Sequence, residues 1–95
     1  MRVTASRLDS GQPLRDAMKA AGLNRVTLAE RTKQIDADGL GVSQQLIAFV
    51  ATDRKWGRET ISVPSAVLIA RALDKQESEL FAMPASFVPT SSTHN

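Results

Sequence analysis

Two adjacent glutamines, Gln44 and Gln45, follow Ser43 at the point where a short apolar segment begins. A serine in front of such a segment is a typical helix N-cap, so the pattern predicts a helix that carries both amides on its first turn. A glutamine at the exposed start of a helix can pair bidentately with adenine in the DNA major groove, where a recognition helix reads bases. These residues therefore favour base recognition, and a merely solvated helix surface is the alternative.

Neighbouring residues extend this hypothesis. Ala48 is small enough to approach the groove closely or to touch a thymine methyl group, and Thr52 can reach a base or the backbone. Phe49 either completes the core or faces the groove, while Trp56 either covers the bundle as a lid or contacts a partner chain. The predicted phosphate-binding residues are cationic or carry a hydroxyl group: Arg25, Ser43, Arg54, Lys55 and Arg58. An N-terminal arm with Arg2 and Arg7 is a further candidate for contact with DNA.

The charge distribution favours the same partner. The net charge is only +2, but residues 1–26 contain five cations and two acids, which is +3. A second basic cluster, Arg54, Lys55 and Arg58, follows the glutamine segment directly, whereas several acids lie late in the chain. Clustered cations beside one element are expected for phosphate contact, and a mixed solvated surface is the alternative.

Other chemistries lack suitable residues. The chain has no cysteine, and its one histidine, His94, lies in the Ser/Thr/Pro-rich end. Asp36-Ala37-Asp38-Gly39 is not a calcium loop, since placing Gly39 at the sixth position puts glutamines where carboxylates are required. We therefore expect no metal, no cofactor, no small-molecule substrate and no enzymatic activity. Without cysteines, an apolar signal-peptide core or an apolar run long enough to span a bilayer, the chain is expected to be soluble and cytoplasmic.

The elements that must position these residues are short helices. A first helix is predicted to begin near Pro13 and to end at Gly22, and a second helix is predicted to begin after the cap residue Asn24. The segment Asp36–Gly41 is predicted to form a turn before the helix at 43–52. A fourth helix opens at Val63-Pro64-Ser65, is apolar nearly all round and is expected to be central to the core, and a fifth covers 76–81. No segment alternates long enough to require a strand. The prediction is a compact all-α bundle of about five helices, with an N-terminal arm (1–12), a domain (13–83) and a flexible tail (84–95). Whether Met1 to Asp9 forms an extended arm, a strand or a disordered segment stays open from the sequence.

Five segments in this order resemble the lambda-repressor-like helix-turn-helix family, also called the XRE or Cro-C1 type. They are Leu14-Arg15-x-Ala17-x-x-Ala20-Ala21-Gly22-Leu23, Leu28-Ala29-Glu30-Arg31-Thr32, Gly41-Val42-Ser43-Gln44-Gln45-x-Ile47, Ile69-Ala70-Arg71-Ala72-Leu73 and Glu79-Leu80-Phe81. The chain departs from the family in an insertion of about eight residues, Lys33 to Leu40, between helices two and three. It also has Arg25 where many members place a glutamine, and a longer loop before the fourth helix.

This resemblance implies a sequence-specific DNA-binding transcriptional regulator, either a phage-type repressor or a Cro-like protein. Helix 43–52 would read the major groove of a palindromic operator, bound by a homodimer. The expected dimer contacts are apolar residues of the fifth helix and the tail: Leu80, Phe81, Phe87 and Val88.

Two alternatives remain open from the sequence. In the first, the same fold is an antitoxin-like or other protein-interaction module that docks through the apolar end of the chain, which includes Met83. In the second, the chain is a small enzyme or metal protein.

Overall fold

A computed structural model of the protein describes residues 4–85, which form short helices around one core and a small sheet. A 3₁₀ turn at Asp9–Gly11 follows the first strand. The elements in chain order are β1 (Thr4–Arg7), α1 (Gln12–Ala21), α2 (Arg25–Ile35), α3 (Gln44–Ala51), β2 (Thr60–Ser62), α4 (Val63–Ala72), α5 (Glu77–Leu80) and β3 (Phe81–Ala82).

The predicted compact arrangement of five short helices is confirmed for residues 4–85, but the described chain is not purely all-α, because it also contains a small three-stranded sheet. Its strand order is β2-β1-β3, and both pairings are antiparallel, with Ala5 opposite Ile61 and Arg7 opposite Phe81. The central strand therefore comes from the segment that was predicted to be an arm. Its sequence, Thr-Ala-Ser-Arg, contains one apolar residue, so it lacks the hydrophobic alternation by which a strand is recognised.

The end of α1 and the start of α2 are where the sequence predicts them. Gly22 follows α1 in the left-handed conformation (φ 70°), and the Leu23 N–H donates to the Met18 carbonyl over 2.9 Å. Asn24 then caps α2, because its side-chain oxygen accepts from the Thr27 N–H at 2.9 Å while the Thr27 hydroxyl accepts from the Asn24 N–H. Reciprocal bonds of this kind satisfy two amides that have no partner within the helix.

The predicted insertion between α2 and α3 is partly helical, since α2 continues to Ile35. The remaining turn folds back on that last stretch of helix. The Val42 N–H donates to the hydroxyl of buried Thr32 at 2.9 Å, and a side chain at Gly41 would meet the Lys33 backbone at 2.7 Å. These contacts bring the chain to the start of α3 along a fixed path.

The core lies between the helices and one face of the sheet. As predicted, α4 is central to it, with Ala66, Ile69 and Ala70 fully buried. Leu80 and Phe81 are also core residues, exposed by only 2% and 1%. The prediction that their side chains contact a second copy of the chain was therefore wrong, because the monomer already encloses them. The same burial removes Phe81 from any docking element at the apolar end of the chain.

Part of the predicted dimer interface, Phe87 and Val88, lies outside the described residues. So do Arg2 and His94, and so does most of the predicted tail. Within residues 4–85, none of the helices has the length and apolar character that crossing a bilayer requires.

Candidate nucleic-acid interface

Helix α3 is anchored by one face and leaves its start on the surface. Ile47 and Val50 are fully buried, whereas Gln44 and Gln45 on the first turn are exposed. The Ser43 hydroxyl oxygen accepts from the Leu46 N–H at 3.1 Å, so the predicted N-cap is present. Both amide side chains thus extend from a capped and buried helix rather than from a loop.

A depression lies at this helix start. It brings together residues from three parts of the chain: the first position of α2, the outer face of α3 and the loop that follows α3. Its lining consists of Arg25, Ser43, Gln44, Gln45, Ala48, Phe49 and Trp56. The two predicted base-reading glutamines and two of the predicted phosphate-binding residues therefore lie on one surface.

A second depression continues this surface along the side of α3. It is lined by Arg15, Met18, Asn24, Arg25, Val26, Ala48, Ala51, Thr52 and Trp56. Arg25, Ala48 and Trp56 line both depressions and so form the border between them. The predicted base-reading residues Ala48 and Thr52 are half-buried. These two adjoining depressions, which together extend from Gln44 to Arg15, are hereafter called the α3 recess.

The basic cluster lies in the loop that follows α3. Arg54, Lys55 and Arg58 are exposed and are not part of the walls of the α3 recess. The loop is nevertheless tied to the helix, since the Arg58 N–H donates to the Phe49 carbonyl at 2.8 Å. The three cations therefore lie in the same loop as Trp56, which lines the recess, and the backbone of this loop is held against α3.

Phe49 and Trp56 form an aromatic pair at the edge of the α3 recess. Phe49 is half-buried, and Trp56 is 55% exposed. Their ring centroids are 5.8 Å apart and their ring planes are inclined by 74°, an edge-to-face arrangement that favours a fixed geometry. Trp56 therefore packs against Phe49 rather than over the core as a lid, and its contact with a partner chain stays a prediction.

The C-terminal end of α3 is held by two arginines that sequence reasoning did not place there. Buried Arg7, from β1, donates through Nη1 to the carbonyls of Phe49, Val50 and Thr52, and its Nη2 lies 2.9 Å from Glu59 Oε2. Arg15, from α1, donates to the Ala51 carbonyl at 2.6 Å. Cations suit this end of a helix, where the last carbonyls have no partner within the helix. The expectation that Arg7 extends along DNA was therefore wrong.

The N-terminal end of α3 depends on the turn at Asp36. Its carboxylate accepts from the N–H groups of Gly41 at 2.8 Å and of Asp38 and Leu40 at 3.2 Å. These bonds, that from Gly41 first, hold the pKa of Asp36 below its ordinary value of 3.8, because they favour the ionised form. Asp36 is thus a turn residue, as its position before Gly39 predicted.

Comparison of the chain with protein-family models, curated proteins and solved structures gives no significant match. Among residues 4–85, no three His, Cys, Asp or Glu side chains lie close enough together to hold a metal ion. The feature that bears on function is the exposed surface around α3, which carries two amide side chains, cations and the ring of Trp56.

Proposed function

We propose that this protein is a sequence-specific DNA-binding transcriptional regulator of the lambda-repressor-like type. In this proposal α2 and α3 act as the helix-turn-helix, and α3 lies in the major groove. The observation that carries it is the exposure of Gln44 and Gln45 on the first turn of a helix whose opposite face is fully buried. A helix that is rigidly anchored on one side can present amides to base edges without losing its own packing.

The roles of the surrounding residues follow from their chemistry. Gln44 and Gln45 can each offer a donor and an acceptor to an adenine edge, while Ala48 and Thr52 lie further along the same helix. Arg25 at the start of α2 and the basic cluster after α3 would bind phosphates on either side of the groove. Such contacts set the register of the helix and are independent of sequence.

One such module covers a small area of DNA, so we propose that two copies bind a palindromic site. Proteins of this docking geometry place their half-sites about one helical turn, roughly 34 Å, apart. Since Leu80 and Phe81 are buried, the pairing of the two copies does not rest on their side chains. The spacing of the half-sites would measure directly how far apart the two bound copies lie.

Selection of bound fragments from random duplex DNA tests the proposal. The expected result is a palindromic consensus with a fixed half-site spacing. Gln44→Ala and Gln45→Ala should each lose about 1–3 kcal/mol of binding free energy at particular base positions and relax the preference there. A uniform loss of affinity across all sequences would contradict the base-reading role.

Arg54→Ala is the matched control, because it removes a phosphate contact rather than a base contact. It should weaken binding to every duplex by a similar factor and flatten the dependence of log K on log salt by about one. If the unaltered protein binds no duplex in a salt-dependent manner, the proposed function is wrong.

A further inference from the structure

Trp56 has no role in the function proposed so far, yet it is the largest side chain on the α3 recess. It is the single tryptophan of the chain, and 55% of its surface is exposed. Tryptophan usually buries most of its surface, so an indole ring left open to solvent at a candidate binding surface requires a reason.

The fold determines where this ring lies. Its edge-to-face contact with Phe49 fixes the ring on one side. The Gly57 N–H donates to the Arg54 carbonyl at 2.9 Å, and a side chain at Gly57 would meet the Thr52 carbonyl at 2.9 Å. The loop thus packs tightly against the end of α3, and little freedom has to be lost when the ring makes a contact.

The charges around the ring indicate which occupant fits. The α3 recess, which the ring borders, contains Arg15 and Arg25. The loop itself, residues 53–59, carries three cations against Asp53 and Glu59, and Glu59 pairs with Arg7. A second copy of this surface would place like charges together, and an apolar partner would have to desolvate the cations. A polyanion with apolar faces, such as duplex DNA, satisfies both the charges and the ring.

We infer that Trp56 packs against the sugar–phosphate backbone of duplex DNA at the border of the groove that α3 occupies. The flat face of the indole covers a deoxyribose ring, and its N–H is a donor suited to a phosphate oxygen. This inference rests on the proposed function. It adds an apolar, sequence-independent contact to a surface whose other proposed backbone contacts are made by cations and a hydroxyl group.

Fluorescence tests this inference at one residue, because the chain has one tryptophan and no tyrosine. Neutral acrylamide should quench free Trp56 readily, and the quenching constant should fall severalfold when a saturating duplex is added. Trp56→Ala should reduce affinity for every duplex by about 10-fold or more without changing the salt slope, because no charge is removed. Trp56→Phe keeps an aromatic ring, so its affinity for duplex DNA should lie between those of the unaltered protein and of Trp56→Ala. This variant also serves as the folding control.

The possible failures differ from those of the proposed function. If the protein binds duplex DNA but Trp56 is quenched equally with and without it, and Trp56→Ala binds as the unaltered protein does, this inference is wrong and the proposed function stands. If no salt-dependent duplex binding occurs and Trp56 instead becomes shielded as protein concentration rises, both are wrong and the ring belongs to a protein interface. A salt slope that changes in Trp56→Ala would also contradict the inference, since it would show that the substitution displaces the nearby cations.

Discussion

At the scale of single residues, Arg7 shows how a charged side chain can serve as an internal scaffold. Its side chain is 4% exposed, whereas that of its ion-pair partner Glu59 is 67% exposed. The carbonyls of Phe49, Val50 and Thr52 therefore provide much of the compensation for burying the guanidinium, which has five donors and no acceptor. These carbonyls belong to the end of α3, so Arg7 joins the central strand to the proposed reading helix.

Replacing Arg7 by Met should lower the free energy of unfolding by about 2–4 kcal/mol. The substitution keeps the apolar stem but leaves several carbonyls without their charged donor. Urea denaturation measures the loss. Glu59→Gln is the matched control and should cost less than about 1 kcal/mol, because Glu59 is mostly solvated and its pairing energy is screened. Equal losses for the two variants would show that the ion pair, rather than the carbonyl contacts, supports the helix.

The same residue marks the limit of prediction at this scale. Gln44, Gln45 and Arg25 could be placed on the surface from the sequence, because capping serines and asparagines fix where helices begin. Arg7 and Arg15 could not be placed at the end of α3, because the α3 groups that they contact lie 36 or more positions away and are backbone carbonyls. A carbonyl group leaves no signature in a sequence, so contacts of this kind become visible only in the folded chain.

At the scale of elements, predictability followed local chemistry. Caps and glycines act within a few residues, and they located α1, α2 and α3 correctly. The strands contain four, three and two residues and pair across more than 50 positions, with few apolar side chains to mark them. The turn at Asp36 was predictable only in part. The sequence predicts a turn there, but it does not predict that the Asp36 carboxylate accepts hydrogen bonds from three N–H groups.

Asp36→Asn should destabilise the connection between α2 and α3 and lower the thermal midpoint by a few degrees at neutral pH. An amide cannot replace both carboxylate oxygens as acceptors, since one of its two atoms is a donor. Because the folded-state pKa of Asp36 is depressed, its contribution is complete above the unfolded value of about 3.8 and is lost as the pH falls through the lower folded value. The difference between the two proteins should therefore persist down to about pH 5, begin to shrink as the pH falls past 3.8, and disappear only below the lower folded-state pKa.

Asp38→Asn is the control for this experiment. It removes a charge from the same turn, but it leaves the acceptor of the Asp38, Leu40 and Gly41 N–H groups in place. Thermal melts of all three proteins across the pH range separate the two effects. A stability difference that stays constant to pH 2 would assign the effect of Asp36→Asn to something other than its ionised carboxylate.

At the scale of the whole molecule, the sheet joins the two ends of the described chain. β1 pairs with β2 on one side and with β3 on the other, so residues near position 5 contact residues near positions 61 and 81. Ala5 is fully buried in the same core as α4 and Leu14. The helices and the sheet therefore share one hydrophobic core, and we expect them to unfold together.

Ala5→Lys and Ser6→Lys test this unity with one substitution on each face of β1. Both variants keep the backbone hydrogen bonds of the strand, but Ala5 is 0% exposed while Ser6 faces solvent. Burying an ammonium group without a partner costs at least about 3 kcal/mol, a large part of the stability of a small domain, so Ala5→Lys should unfold at much lower urea concentration. Ser6→Lys should change stability by less than about 0.5 kcal/mol.

Helical circular dichroism and Trp56 fluorescence should report the same shifted transition for Ala5→Lys, because α3 rests on the core that β1 closes. If Ala5→Lys left both signals unchanged, the segment 4–7 would act as the separate arm that its sequence suggested, and the sheet would contribute nothing to holding α3 in place.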